Sequence, residues 1–290
     1  MITSSGVDPA SPSQVEQGRR AYREQRRRRS TLVSLASTLA FAVLAWLALV
    51  NSPGWSRVQS SFFDWETARA ALPRVLEGLV LNLRVLVFSS IGVLIFGLTL
   101  ALLRTLRSPI FTPVRLLVRG YVDLFRGMPL IIVLYLVGFG IPGLRLEWLG
   151  RVPAEVLGTI ALILTYSAYV AEVFRAGIEA VHPSQRLAAR SLGLTYAQSM
   201  RLVVLPQAFR KVAPPLMNDF VSLQKDVGLI SVLGAVDAVR SAGIEVSRFA
   251  NFTPYVLAGL CFVVLAIPMI RVTDAFTARL ARREQTGGVL

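Results

Sequence analysis

This 290-residue chain contains one cysteine, one histidine and two lysines. Cys261 alone excludes an intramolecular disulfide and any cysteine cluster for a metal. A single His182 argues against a His-rich metal site and a His-dependent triad, and it forbids the His-Glu-x-x-His pattern. The only lysines, Lys211 and Lys225, follow Arg210 and Gln224. The Gly-x4-Gly-Lys-Ser/Thr loop that cradles nucleotide phosphates is therefore absent. Gly-x-Ser-x-Gly is absent too. Charge is scarce: 17% of residues carry it, against about 25% in a soluble domain. Acidic residues number 17 against 31 basic ones, of which 29 are Arg, for a net charge of +14. Such a balance fits either a nucleic-acid binder or a membrane protein with basic loops, and the placement of the arginines decides which.

What the chain has in excess is apolar length. Hydrophobic residues make up 54%, and the mean hydropathy is +0.58. Leu32–Val50, Val85–Leu103, Gly127–Leu144 and Phe249–Ile270 are uncharged for 19, 19, 18 and 22 residues. About 20 apolar residues at 1.5 Å rise cross roughly 30 Å of hydrocarbon. Val156–Ala171 is uncharged for 16 residues, with its helix continuing through Glu172 and Arg175. Val212–Val236 is apolar but holds Asp219, Lys225 and Asp226. The pattern predicts an all-α polytopic membrane protein with six transmembrane helices. The first, over 31–51, is too long for a signal-peptide core, and no small-residue cleavage site with a soluble domain follows it. The tail at 1–30, with Arg19, Arg20, Arg23 and Arg26–Arg29, is expected to be disordered and basic, touching anionic headgroups rather than nucleic acid.

Six spans put both termini on one side. That side collects 22 basic residues, from the tail, 104–126, 175–211 and 271–290. The other side, 52–74, 143–155 and 235–250, has 7. Positive loops mark the cytoplasm, so both termini are expected inside a cell membrane, with 276–290 as a cytoplasmic tail. The same asymmetry accounts for the basic balance without nucleic acid. No outer segment is long enough to be a folded domain.

The segment between the fourth and fifth spans has a distinctive pattern. Residues 180–218 contain no carboxylate and five basic residues. Gln185–Leu192 reads as a helix with Leu187, Ala188 and Leu192 on one side and Arg186 and Arg190 on another. Gly193 can stop it in the left-handed conformation. Thr195-Tyr-Ala-Gln198 fits a capping box that starts a second helix. Tyr196, Met200, Val203 and Val204 supply its apolar stripe, and Pro206 limits its regular hydrogen bonding. Such a helix–Gly–helix elbow suits docking to a partner. An amphipathic loop lying on lipid is the ordinary alternative.

The run Gln185-Arg-Leu187-Ala188-Ala189-Arg-Ser-Leu192-Gly193-Leu194, followed by Leu205-Pro206-Gln207-Ala208, resembles the EAA loop of ABC-importer permeases. Tyr121-Val-Asp123-Leu-Phe-Arg126-Gly-Met-Pro129-Leu130 resembles the entry to a span in the polar amino-acid (histidine/glutamine-type) branch. Tyr166-Ser-Ala-Tyr169-Val-Ala-Glu172-Val-Phe-Arg175-Ala-Gly177 resembles that branch's next helix, and Leu223-Gln-Lys225-Asp226 its later Lys-Asp element. The resemblance covers 76–275, a five-helix type I permease core to which the first span is extra. There are departures. Leu187 stands at the EAA glutamate, Ser184 at the usual preceding Gly, and Val227-Gly228 where Thr-Ser is typical.

The resemblance implies a permease subunit of an ATP-driven importer for polar amino acids, itself neither an enzyme nor a cofactor binder. Its implied partners are two ATP-binding subunits that use ATP and Mg, a second permease subunit, an extracytoplasmic solute-binding protein and membrane lipid. The coupling segment 182–206, with Gln185, Leu187, Ala188, Ala189, Leu192, Gly193, Leu194 and Pro206, is implied to dock in the ATPase.

Ionisable groups in a membrane are costly and face a cavity or a partner. Asp219 and Asp226 lie seven apart, two turns on one face, with Lys225 offset. With Asn218 and Gln224 they are expected to line the translocation path or the dimer interface; a Lys–Asp set satisfied within the bundle is the structural alternative. Tyr166 and Tyr169, three apart, offer a ring face to a substrate cation or else simply pack. Glu172 and Arg175 are expected to pair, and Arg84 to snorkel to the outer interface. A secondary transporter driven by an ion gradient is the alternative function, but it calls for internal repeats, and none is visible.

Overall fold

The computed structural model describes residues 14–106, 108–145 and 152–287. Among them every regular element is helical. Two compact units divide the chain, Met1–Ser60 and Ser61–Leu290.

The first unit is dominated by α1, Gln14–Val50. Its arginines from Arg19 to Arg29 are helical, which corrects the expectation of a disordered basic tail over the part of 1–30 that is described. Arg, Gln and Glu are good helix formers, and no Gly or Pro separates them from the apolar stretch that nucleates the helix. The first 13 residues of the expected tail lie outside the described residues. None of the apolar stretch of α1 is buried. Helix α2, Trp55–Phe62, begins in this unit, where Trp55 meets Trp46 edge-on at 6.3 Å.

The second unit is a helical bundle. Helix α3 runs Trp65–Thr105, starting on Asp64, whose side chain accepts from the Glu66 N–H. The backbone N–H of Asp64 donates to Thr253 Oγ1 at 3.1 Å, which ties this start to that of the last helix. A 3-10 turn, Pro109–Phe111, leads into α4, Thr112–Gly127. Then come α5, Leu130–Tyr135, a π turn over Leu136–Gly140, and α6, Ile141–Gly143. Helix α7 is Ala154–Glu179, α8 Pro183–Ser191 and α9 Tyr196–Ser199. A π turn, Met200–Val204, joins α9 to α10, Leu205–Asp226, and a 3-10 turn follows over Val227–Leu233. Helices α11, Ala238–Phe249, and α12, Thr253–Gly287, complete the chain.

Among the described residues four helices, α1, α3, α7 and α12, are long and apolar enough to cross a membrane. The number rises to six if each of two bent pairs forms one span. The expected third span, Gly127–Leu144, coincides with the second arm of one pair, whose first arm falls in the segment 104–126 expected on the cytoplasmic side. Pro109–Gly127 and Leu130–Gly143 meet at 108°, because Pro129 cannot continue the preceding helix. The straight part after the bend is only about 21 Å long. The expected fifth span is the other. Its helical run Tyr196–Leu233 bends by 53° into α11, after Gly234 has adopted φ +90°. Residues 146–151 of the expected outer loop at 143–155 lie outside the described residues.

The core sits between α3, α7, α5 and the 227–233 turn, around Leu86, Val93, Leu134, Leu162 and Ile230. Helices α3 and α7 approach closely at Gly92, which faces Ile163, and at Gly97, which faces Val170 and Ser167 O. Small residues do this work in membrane bundles, where lipid removes the hydrophobic drive and close backbone packing must replace it. Gly78 is the extreme case: a Cβ there would lie 2.4–2.5 Å from the backbone of Asp237 and Ala238.

Candidate functional site

The elbow begins at His182, whose ring nitrogen accepts from the Ser184 N–H at the N-cap of α8, with Pro183 in the first turn. Gly193 ends α8 at φ +82°. Leu194 N–H donates to Ala189 O at 3.2 Å and Gly193 N–H to Arg190 O at 3.0 Å. This pair of bonds is the Schellman closure, which requires a left-handed residue and so favours glycine. Thr195 then restarts the helix. Its hydroxyl accepts from the Gln198 N–H at 3.3 Å, while the Thr195 N–H donates to Gln198 Oε1 at 2.9 Å. The π turn over Met200–Val204 immediately precedes Pro206, whose ring supplies no backbone donor. The second arm therefore runs on into α10 rather than ending as a short separate helix.

Leu187 and Leu192 are 65% and 81% exposed, and Gln185, Ala188 and Gly193 are exposed beside them. Ala189 is buried, and Leu194 is half-buried. Gln207 Nε2 reaches Gln185 Oε1 at 3.5 Å, linking the two arms. The tip of the elbow thus presents two exposed leucines on a doubly capped turn, with Arg190 exposed on the same helix.

A second constellation lies in the bundle. A cleft of about 420 Å³ opens between α3, α7, α10 and α12, walled by Val170, Phe174, Phe209, Met217 and Leu223. Tyr166 and Asp219 bring polar groups to it. Asp219 Oδ2 is buried with no hydrogen-bond partner. The Tyr166 hydroxyl donates to Asp226 Oδ2 at 2.7 Å, crossing from α7 to the end of α10.

The other residues of the expected path are placed elsewhere. Lys225 is exposed and makes no ion pair with Asp226 among the described residues, so the Lys–Asp set expected as a structural alternative is replaced by a Tyr–Asp pair. The reason is geometric: neighbouring helix positions point about 100° apart, so Lys225 faces outward when Asp226 faces α7. Tyr169 is not a wall of the cleft; the Arg126 guanidinium lies 5.9 Å from its ring centre and its hydroxyl donates to Arg126 O at 3.3 Å. Its cation is therefore one of the chain's own. Asn218 is exposed. Gln224 is buried at 1% exposure, and both its amide atoms lack partners.

Sequence reasoning missed two polar clusters. Asn82 is buried, and its amide donates to Val227 O at 3.2 Å and to Asp237 Oδ2 at 3.0 Å. Its carbonyl accepts from Ala238 N–H at 3.0 Å. Asp237 in turn accepts from Arg240 N–H at 2.8 Å as the N-cap of α11, and that Asp-x-x pattern was the available signal. Glu172 pairs with Arg175 as expected, but also with Arg104 of α3 at 2.9 Å. A pairing 68 positions apart leaves no local trace.

Comparison with known proteins fits this arrangement. Residues 94–283 match the family model of the binding-protein-dependent transport system inner membrane component. The arginine transport system permease protein ArtQ of Bacillus subtilis is 34% identical over 218 residues, covering 75% of this chain and 97% of that protein. The glutamate/aspartate import permease protein GltK of Escherichia coli is 35% identical over 209 residues, covering 68% and 92%. The crystal structure of an amino acid ABC transporter with histidines superposes with a TM-score of 0.68 at 34% identity, over 74% of this chain and 98% of that one.

Proposed function

We infer, because this chain belongs to the family of inner membrane components of binding-protein-dependent transport systems, that its elbow at 182–206 is the handle gripped by a separate ATP-binding subunit. The chain is a multi-pass permease of an amino-acid ABC importer, non-catalytic itself, with ATP hydrolysis performed by another subunit. The observation that carries the coupling proposal is the tip of the elbow: Gly193 held at φ +82° between two capped arms, with Leu187 and Leu192 exposed. Uncovered leucines on a rigid turn gain by burial in a partner's cleft, at about 25 cal/mol per Å² of apolar area.

In this reading both termini and the elbow face the cytoplasm. ATP and Mg are bound by the partner, two permeases pair, and a solute-binding protein delivers a polar amino acid. Relatives named for arginine and for glutamate and aspartate favour that substrate class. The path or the permease–permease interface runs along α7 and α10 past Tyr166, Asp219 and Asp226. Nucleotide drives alternation only by binding one state of the assembly more tightly than the other.

The test is co-purification with the ATP-binding subunit expressed alongside. Gly193→Trp should abolish recovery of that subunit while leaving the permease in the membrane. Full recovery with the Trp variant would overturn the coupling assignment.

A further inference from the structure

A second cleft, of about 290 Å³, lies where the ends of α3 and α7 meet α4, α8 and α9. Arg104, Arg115, Arg119, Arg175 and Arg186 line it, with Glu179 as the single acid of its wall. Arg104 and Arg175 are occupied by Glu172 and Glu179. Among the described residues Arg115, Arg119 and Arg186 have no carboxylate within 4.0 Å. Two of the three are held in place: Arg115 donates to Leu106 O and to Thr112 Oγ1, each at 2.8 Å, and Arg186 donates to Ile178 O. Arg186 Nε is nevertheless buried with no acceptor. A guanidinium carries five N–H donors, and these three leave most of theirs unused toward one cleft.

Three cations without a carboxylate partner on the wall of one cleft repel one another and call for an anion. Planar N–H forks suit phosphate oxygens in particular. The surroundings indicate where that phosphate comes from. Ile110, Leu116 and Leu117, beside Arg115 and Arg119, are 77%, 60% and 75% exposed. Helix α4, which carries both arginines, turns 108° away from the helix that follows it. Helix α4 packs Val118 and Val122 into the bundle against α3 and α7, while Leu116 and Leu117 face outward and its arginines border the cleft, an amphipathic arrangement that fits the headgroup boundary of a bilayer.

We propose that the cleft between α3, α4, α7 and α8 binds the phosphate of an anionic phospholipid through Arg115, Arg119 and Arg186, with the acyl chains lying along Ile110, Leu116 and Leu117. Arg186 belongs to the elbow at 182–206, but the cleft takes in neither of the exposed leucines of its tip, Leu187 and Leu192, and it is separate from the Tyr166–Asp219 cleft. It requires no nucleotide and no ATPase, so its failure leaves the coupling proposal untouched.

Native mass spectrometry of the full chain, purified in mild detergent and titrated with phosphatidylglycerol or phosphatidylcholine, tests it. Phosphatidylglycerol should be retained in preference to phosphatidylcholine. Arg119→Gln should weaken its retention about fivefold, and Arg115→Gln with Arg119→Gln about 25-fold, from about 1 kcal/mol per basic residue near a membrane surface. Arg119 makes none of the fixed bonds described for Arg115, so its single variant reads binding even if the double variant misfolds. Arg119→Lys should retain the lipid to within about threefold, and Arg240→Gln, on another face, should change nothing. Equal retention of both lipids, wild-type retention by Arg119→Gln, or an equal loss in Arg240→Gln would overturn the proposal. Displacement of the lipid by millimolar inorganic phosphate would also overturn it, in favour of a soluble phosphate ligand.

Discussion

Tyr166 and Lys225 stand in contrast. Both flank Asp226, one across helices and the other along the chain. The contact at 2.7 Å belongs to Tyr166. Tyr166→Phe removes one hydroxyl and leaves a carboxylate without its partner inside the bundle, at a cost of about 1–3 kcal/mol. Lys225→Ala removes an exposed side chain and should stay within about 0.5 kcal/mol. Thermal unfolding in detergent compares them, and equal losses would refute the Tyr–Asp pairing. Gly78 makes a second residue-scale case. Gly78→Ala drives a methyl group into the backbone of Asp237 and Ala238, and overpacking of this kind costs about 1–3 kcal/mol. A lowered melting temperature is the expected result, and an unchanged one would mean that α11 moves freely. None of these pairings was legible in the sequence, since each depends on which face of one helix meets another.

At the scale of elements the elbow is the most readable part of the chain. Its stop at Gly193 and its restart at Thr195 and Gln198 are local hydrogen-bond patterns, written in residue type and spacing. Thr195→Ala should therefore weaken the second arm by about 1 kcal/mol, seen as faster amide exchange over 196–199 with α8 unaffected. Slower or unchanged exchange would show that packing on the neighbouring helices, rather than the cap, holds α9. The broken spans were harder to read. The uncharged run Gly127–Leu144 marks only the arm after the bend, because hydropathy does not register how that arm joins the Arg-bearing helix before it. Pro129 forces the bend, but its angle of 108° follows from what α4 and α5 pack against. The Arg run of α1 was misjudged for a related reason: net charge suggested disorder, while helix propensity and an apolar continuation favoured helix.

For the molecule as a whole, polar cross-links decide how the rods are assembled. Arg104 of α3 and Glu172 of α7 meet at 2.9 Å with side chains only 16% and 23% exposed. A double-mutant cycle with Arg104→Gln and Glu172→Gln should give a coupling of about 0.5–3 kcal/mol. Additive losses would reduce the pair to coincidence. Near the middle of α3, Asn82 and Asp237 join that helix to the start of α11. Removing either leaves buried polar groups unsatisfied where no water replaces the bond.

Composition and order alone determined that this chain is a helical membrane protein and where its elbow turns, because hydropathy and capping act over a few neighbouring residues. The tertiary structure alone decided that Asp226 answers to Tyr166, that two pairs of helices are bent, and that three arginines from two helices gather at one cleft. Those outcomes depend on the rotation of each helix about its own axis, a quantity set by packing against partners far away in the chain.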